Sequence, residues 1–308
     1  MIKLYKPKFW DKKKGLISII LYPFSLIYVL VNLFNKKFSK VKQFKIPVIC
    51  VGNIYLGGTG KTPASIFLAS EFSKIGKKAV ILRKYYKEHS DEYNLIKNYT
   101  KNLIIDKNRV VGLKKAEKSK FDIVILDDGL QDYSIKKDLK IACFNSDQLI
   151  GNGFVLPSGP LREGLSALKD IKIVLINGDL NKDFEKKILS INKDIEIFYS
   201  SYKPTNIEEF KNKKLFAIAG IGNPENFFQL IKKYNLKICK KKIFPDHYKF
   251  SRNEIQDIIK EAEDGGYQIV MTEKDYFKIN NYNLNNIKYL KVSLEIKKKE
   301  KFMNMINL

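Results

Sequence analysis

Gly57-Gly58-Thr59-Gly60-Lys61-Thr62 follows the apolar run Ile46–Val51 and opens a helical pattern from Ala64 to Lys74. A buried strand, a glycine-rich turn and a helix start are the setting in which main-chain N–H groups close on a polyphosphate. The positive end of the helix dipole adds to that attraction. Lys61 has the reach for β- and γ-phosphates, and the Thr62 hydroxyl is a ligand type for Mg2+. The spacing departs from G-x-x-x-x-G-K-[ST]: Tyr55 stands where the first glycine belongs, and the nearest earlier one is Gly52. A glycine turn without a ligand is the competing reading, but the strand-to-helix context favours nucleotide binding.

Other residues have types suited to the same chemistry. Asp127 and Asp128 end the apolar run Phe121–Leu126 and precede Gly129, as in a Walker-B element whose carboxylate holds Mg2+; an ordinary Asp-Gly turn is the alternative. Asp91-Glu92 falls in a polar stretch that reads as loop. A carboxylate can take the proton of an attacking hydroxyl, yet on spacing alone Asp91 is one solvated acid among many. His247, one of 2 histidines, sits in Phe244-Pro245-Asp246-His247-Tyr248 at the exit of a strand-like run; a lone histidine is more often structural. Leu156–Glu163 reads as a rigid Pro/Gly turn leading into a helix, with Arg162 suited to a phosphate or else solvated. Thr272-Glu273-Lys274-Asp275 either projects Lys274 into a cleft or caps the next helix.

Strand-like runs alternate with amphipathic segments from Ile46 to Ile176. This predicts an α/β fold with a mostly parallel sheet and helices on both faces. A lysine-rich polar stretch from Gly178 to Lys211 then precedes a second alternation, with strands expected at Leu215–Ala219, Ile238–Phe244, Gln268–Met271 and Tyr289–Leu294. The expected organisation is an apolar amino-terminal helix with basic flanks (1–40), a core domain (41–200) and a smaller carboxy-terminal α/β lobe (201–308). The chain has 308 residues, 44% hydrophobic, with a net charge of +24. Such a balance suits anionic partners, or reflects a compositional bias towards Lys, Asn and Ile. Three separated cysteines (Cys50, Cys143, Cys239) form no zinc or disulfide pattern and fit a reducing cytosol.

Gly15 to Asn35 is uncharged, apolar and about the length of a bilayer's hydrocarbon core when helical. Ser18, Tyr22, Ser25 and Asn32 form a narrow polar stripe, and Pro23 interrupts the middle. Lysines crowd both ends (Lys12, Lys13, Lys14; Lys36, Lys37). Equal flanks favour a helix lying in the interface over a spanning one; a buried core helix is the third reading. On either membrane reading, deleting Met1 to Asn35 releases the chain from membranes without unfolding the lobes.

Seven stretches in this order resemble the tetraacyldisaccharide 4'-kinase family: Val51–Pro63, Ser90–Glu92, Leu126–Gln131, Leu156–Glu163, Ala219–Pro224, Phe244–His247 and Thr272–Asp275. The resemblance implies a P-loop NTPase-like kinase that uses ATP and Mg2+ at the cytoplasmic face of the inner membrane, peripheral or monotopic through its amino-terminal helix. It would phosphorylate the 4'-hydroxyl of the lipid A disaccharide precursor. On that resemblance Gly57, Gly58, Thr59, Gly60, Lys61 and Thr62 hold the nucleotide, and Thr62, Asp127 and Asp128 lie near the metal. Asp91 matches the catalytic carboxylate, His247 its histidine partner, and Asn53 and Arg162 are candidates for substrate contact. The chain departs from the family pattern at Leu130 and Asp132 (D-D-G-F-Q-H), at Tyr248 (F-P-D-H-H) and at Leu82–Tyr85 (S-R-G-Y). A ParA/MinD-like membrane ATPase is the rival; its usual second lysine would stand where the chain has Leu56, and its membrane helix is typically carboxy-terminal. The basic charge lacks the aromatic interleaving of a nucleic-acid binder, so no nucleic-acid partner is expected.

Overall fold

The computed structural model describes residues 7–11, 15–246, 248–279, 282 and 286–307. The chain forms two units. The larger comprises Lys6–Tyr85, Thr100–Ser201 and Leu294–Leu308; the smaller contains Tyr86–Tyr99 and Tyr202–Ser293. Two segments thus change sides relative to a simple division of the sequence: residues 86–99 group with the later part of the chain, and the last residues return to the larger unit.

In the larger unit β1 (Val48–Gly52) is flanked by β4 (Ile123–Asp127) and β5 (Leu139–Asn145), both parallel to it. Beyond β4 come β2 (Ala79–Lys84) and β3 (Leu103–Asp106); beyond β5 come β6 (Ile173–Asn177) and β7 (Glu196–Pro204). Val48, Cys50, Val80, Leu82, Val124 and Leu126 form one core with residues of α4 (Arg109–Lys118) and α5 (Lys182–Leu189). The alternate residues Ile49, Val51, Ile81 and Ile125 are equally buried. Side chains alternate between faces along a strand, so both faces of this sheet are covered, as near-continuous Val/Ile/Leu runs predict. α2 (Lys61–Lys74) packs against β1, β2 and β4.

The smaller unit repeats the plan with parallel strands β8 (Lys214–Ala219), β9 (Lys237–Ile243), β10 (Gln268–Thr272) and β11 (Ile287–Leu290), in the order β11-β10-β8-β9. Leu215, Ala217 and Val270 pack on α6 (Pro224–Lys233), while Phe216, Ile218 and Ile269 pack on α7 (Arg252–Asp264). α3 (Ser90–Tyr99) and α8 (Glu273–Ile279) belong to this unit and pack together.

The structure corrects three element expectations. The stretch Gly178–Lys211 holds α5 and β7; Lys182, Lys186 and Lys187 are the wet side of a helix whose Phe184 and Ile188 are buried. The single strand expected at Tyr289–Leu294 is two: β11 in the small sheet and β12 (Val292–Ile296), which joins the eight-stranded sheet next to β7. Asp91 is not in a loop but in the first turn of α3.

α1 (Leu16–Phe38) has 23 residues and is long and apolar enough to cross a membrane. Only Ser18 and Ser25 along it are buried, whereas Leu16, Ile20, Phe24, Ile27, Leu30 and Phe34 stand exposed. The helix is therefore not a core helix. The polar stripe makes its contacts with protein: Asn152 Nδ2 donates to Ser18 Oγ at 3.0 Å, Ser25 Oγ donates to Val155 O at 2.8 Å, and the exposed Tyr22 meets Phe154 edge-on at 5.5 Å. The lysines at 12–14 lie outside the described residues.

Candidate active site

β1 lies where the strand order reverses, and open α/β sheets bind ligands beyond the carboxyl ends of strands at such a point. Residues 57–62 occupy that position, between β1 and α2. Gly60, the residue before α2, has φ 89°, and Gly57 has φ 140°, left-handed conformations that glycine adopts without steric cost. Asn53 is fully buried beneath the loop. Its Nδ2 donates to Thr59 Oγ1 at 3.0 Å and to Gly57 O at 3.3 Å, while its Oδ1 has no hydrogen-bond partner among the described residues. Gln131 Nε2 donates to Asn53 O at 3.0 Å and to Glu163 Oε1 at 2.8 Å.

The acidic pair at the end of β4 divides its contacts. Asp127 is fully buried and accepts from Thr62 Oγ1 at 3.0 Å and from Ser65 Oγ at 3.3 Å. Arg83, at the end of β2, forms a close ion pair with it and also donates to Thr62 Oγ1 at 3.1 Å. Asp128 has the left-handed φ of 59° and points elsewhere. Arg162 Nη1 lies 2.8 Å from its Oδ1 and Lys61 Nζ 3.9 Å from it. Burial pushes the Asp128 carboxyl up, but Lys61, Arg162 and Arg83 outweigh it and hold the group well below the ordinary carboxylate range. Lys61 moves the other way: burial lowers its ammonium more than the carboxylates of Asp128 and Asp127 raise it.

The larger unit thus brings together Asn53, the 57–62 loop, Asp127, Asp128 and Arg162, which the sequence singles out separately. Asp132, where the family pattern has His, is paired with Arg109 at 3.2 Å and accepts from Ser134 Oγ at 2.6 Å. Its role here is to hold its own turn. Ser65, Arg83 and Gln131 carry contacts that spacing did not reveal; Arg83 and Gln131 stand in stretches compared with the family pattern, where no role was given to them.

The smaller unit holds Asp91, which is buried, not solvated. Lys274 Nζ lies 3.6 Å from Asp91 Oδ2, 3.2 Å from Glu92 Oε1 and 3.0 Å from Asp246 Oδ1. Lys278 Nζ lies 3.8 Å from Asp91 Oδ2 and 2.6 Å from Asp275 Oδ1. Thr272 Oγ1 donates to Asp275 Oδ2 at 2.7 Å and accepts from Asp275 N at 3.1 Å. In the Thr-Glu-Lys-Asp run Thr272 ties down the first turn of α8, the capping reading, while Lys274 gathers three carboxylates. His247 lies outside the described residues.

The model of the family described as tetraacyldisaccharide-1-P 4'-kinase (LpxK) matches residues 17–308. A tetraacyldisaccharide 4'-kinase of Pelagibacter ubique (strain HTCC1062) is 40% identical, over 99% of this chain and 98% of its own length. The same-named protein of Rickettsia akari (strain Hartford) is 35% identical, over 96% of this chain and 94% of its own. A crystal structure of the "apo" form of LpxK from Aquifex aeolicus in complex with ATP superposes with a TM-score of 0.71. It is 24% identical and the match covers 94% of this chain and 98% of that one, a likeness that bears on the fold. By the span of the family match and the identity to these relatives, the chain belongs to the tetraacyldisaccharide-1-P 4'-kinase family.

Proposed function

We propose that this chain transfers the γ-phosphate of ATP to the 4'-hydroxyl of a tetraacylated glucosamine disaccharide 1-phosphate, a step of lipid A biosynthesis. The observation that carries the reading is the phosphate loop. Lys61 and Thr62 open α2 beside Asp127 and Asp128, in a chain whose family membership spans residues 17–308. The family relationship sets aside the membrane-positioning ATPase as an alternative. ATP as donor is supported by the Aquifex aeolicus relative, whose structure is described as a complex with ATP.

In this reading the triphosphate lies against the main-chain N–H groups of 57–62 and the amino-terminus of α2, where the helix dipole favours anions. Lys61 neutralises charge on the β- and γ-oxygens. Its Nζ lies 3.9 Å from Asp128 Oδ1, from which it would be drawn towards phosphate. The Asn53 amide nitrogen, donating to Thr59 Oγ1 and Gly57 O, keeps the loop in shape without occupying its amides.

A divalent cation fits the donors at hand. The Thr62 hydroxyl and an Asp127 carboxylate oxygen are 3.0 Å apart, and Mg2+ is satisfied by one or two such protein oxygens together with water and phosphate. Thr62 and Asp127 would hold it, with Asp128 beside them, and when bound it would neutralise charge on the phosphate oxygens. Arg83 balances the buried Asp127 charge.

Asp91 acts as the base, with His247 orienting it. It takes the proton of the 4'-hydroxyl as that oxygen bonds to the γ-phosphorus, and the bond from phosphorus to the bridging oxygen breaks to release ADP. Lys274 and Lys278 both lie within 4 Å of Asp91 Oδ2. The exposed apolar flank of α1 seats the protein in the membrane interface at the cytoplasmic face of the inner membrane, so the acyl chains need not leave the bilayer. Incubation of the purified full-length protein with labelled ATP and lipid A disaccharide precursor tests the proposal: label is expected in the lipid at the 4'-position, and its absence from the lipid under conditions where ATP binds contradicts the proposal.

A further inference from the structure

The polar stripe of α1 leads to the phosphate loop. Ser18, Ser25 and Asn32 sit about two turns apart on one side of a helix that is otherwise apolar, and each meets the segment 152–162. Ser18 Oγ accepts from Asn152 Nδ2 at 3.0 Å, and that same amide group donates to Ser158 O at 2.9 Å. Ser25 Oγ donates to Val155 O at 2.8 Å, lies 2.8 Å from Ser158 Oγ and accepts from Ser158 N at 3.1 Å. Asn32 Nδ2 donates to Arg162 O at 3.2 Å.

The far side of the same segment is bonded to the strand exit that becomes the phosphate loop. Arg162 N donates to Ile54 O at 2.7 Å, Leu56 N donates to Pro160 O at 2.8 Å, and Tyr55 and Leu161 form an antiparallel bridge. Arg162 is therefore held three ways. Its carbonyl accepts from α1, its N–H is given to Ile54, and its guanidinium is set on Asp128, the acid beside Lys61. A helix that served only as an anchor would have no use for three polar side chains aimed into protein. Each of these groups would cost free energy if left buried without its partner.

We propose that α1 is a positioning element of the phosphate-binding site: its polar stripe holds residues 152–162 so that Arg162 stays on Asp128 and Tyr55–Leu56 enter the loop in register. This inference rests on the nucleotide site proposed above, but not on the identity of the lipid acceptor. Deleting Met1 to Asn35 would then remove a support of the nucleotide site as well as an anchor.

The test uses the full-length protein in lipid vesicles, with a fluorescent ATP analogue and the KM for ATP as readouts. Ser25→Ala combined with Asn32→Leu removes the bonds and leaves the helix at least as apolar. We expect it to float with vesicles as the wild type does while binding the analogue about tenfold more weakly, a change of roughly 1.4 kcal/mol. Asn32→Leu alone, the milder change, is expected to weaken binding in the same direction, and Leu30→Ala on the exposed side is expected to leave it unchanged. On an Arg162→Ala background Asn32→Leu is expected to add less than about twofold, because both act through one contact. Unchanged nucleotide binding in the double variant, or a full additive loss on the Arg162→Ala background, overturns the proposal. Failure of the kinase reading looks different: nucleotide binding responds to the variants while the wild type transfers no phosphate to lipid.

Discussion

Asp127 and Asp128 are neighbours in sequence, yet the turn after β4 sends one carboxylate to Arg83 and Thr62 and the other to Arg162 and Lys61. The left-handed backbone at Asp128 makes the split, and aspartate is among the few residues that tolerate it. Because the folded Asp128 carboxyl lies well below its unfolded value of about 3.9, it contributes stability above that value and loses it as pH falls through the folded value. Asp128→Asn should therefore lower the urea midpoint at pH 7, with the difference from wild type shrinking once pH drops below about 4. A gap that stays constant into acid would contradict this assignment. The acidic pair and the phosphate loop were legible in the sequence because each is a local pattern at the end of an apolar strand. The contacts of Arg83, Ser65, Lys274 and Lys278 were not, since their partners stand far off in the chain: Thr62 and Arg83 are 21 positions apart, and Ser65 and Asp127 are 62.

Among the elements, the segment 152–162 shows what a loop without regular structure can carry. Gly159 has no room for a side chain: a Cβ there would collide with Asn152 Oδ1 and with the carbonyl of Phe154. Relief would have to come from backbone, so Gly159→Ala should cost about 1–3 kcal/mol, the range for overpacking a tight site, read as a lowered thermal midpoint together with weaker ATP binding. A fully stable, fully binding variant would show that the segment yields without consequence. Strand runs such as Ile123–Leu126 announced themselves because both sheet faces are covered and no polar residue interrupts them. α5 was hidden for the opposite reason: its sequence KDFEKKIL is mostly solvated surface, and two buried residues, Phe184 and Ile188, are too few to show a period. The stripe on α1 was visible, but its spacing could not tell whether water or protein faces it; Ser25 and Ser158 settle that by being buried against each other.

Taken as a whole, the chain pairs a net charge of +24 with an exposed apolar helix. These two features predict separable components of membrane binding. Vesicles containing anionic lipid should bind the protein more strongly than neutral ones, and raising salt should remove that increment while leaving the apolar component, since screening acts on exposed charge. Binding abolished by salt on both kinds of vesicle would deny α1 a part in it. The charge is scattered and does not itself point to a substrate; the kinase reading rests on the phosphate loop, the buried carboxylate Asp91 and the family relationship. Single-turnover transfer of γ-phosphate by Asp91→Asn, with ATP binding followed in the same samples, tests that division of labour most directly. The account predicts transfer reduced by about 100-fold or more, the typical contribution of a positioned general base, with ATP bound as in the wild type. Transfer at near wild-type rate by the Asp91→Asn protein would contradict it.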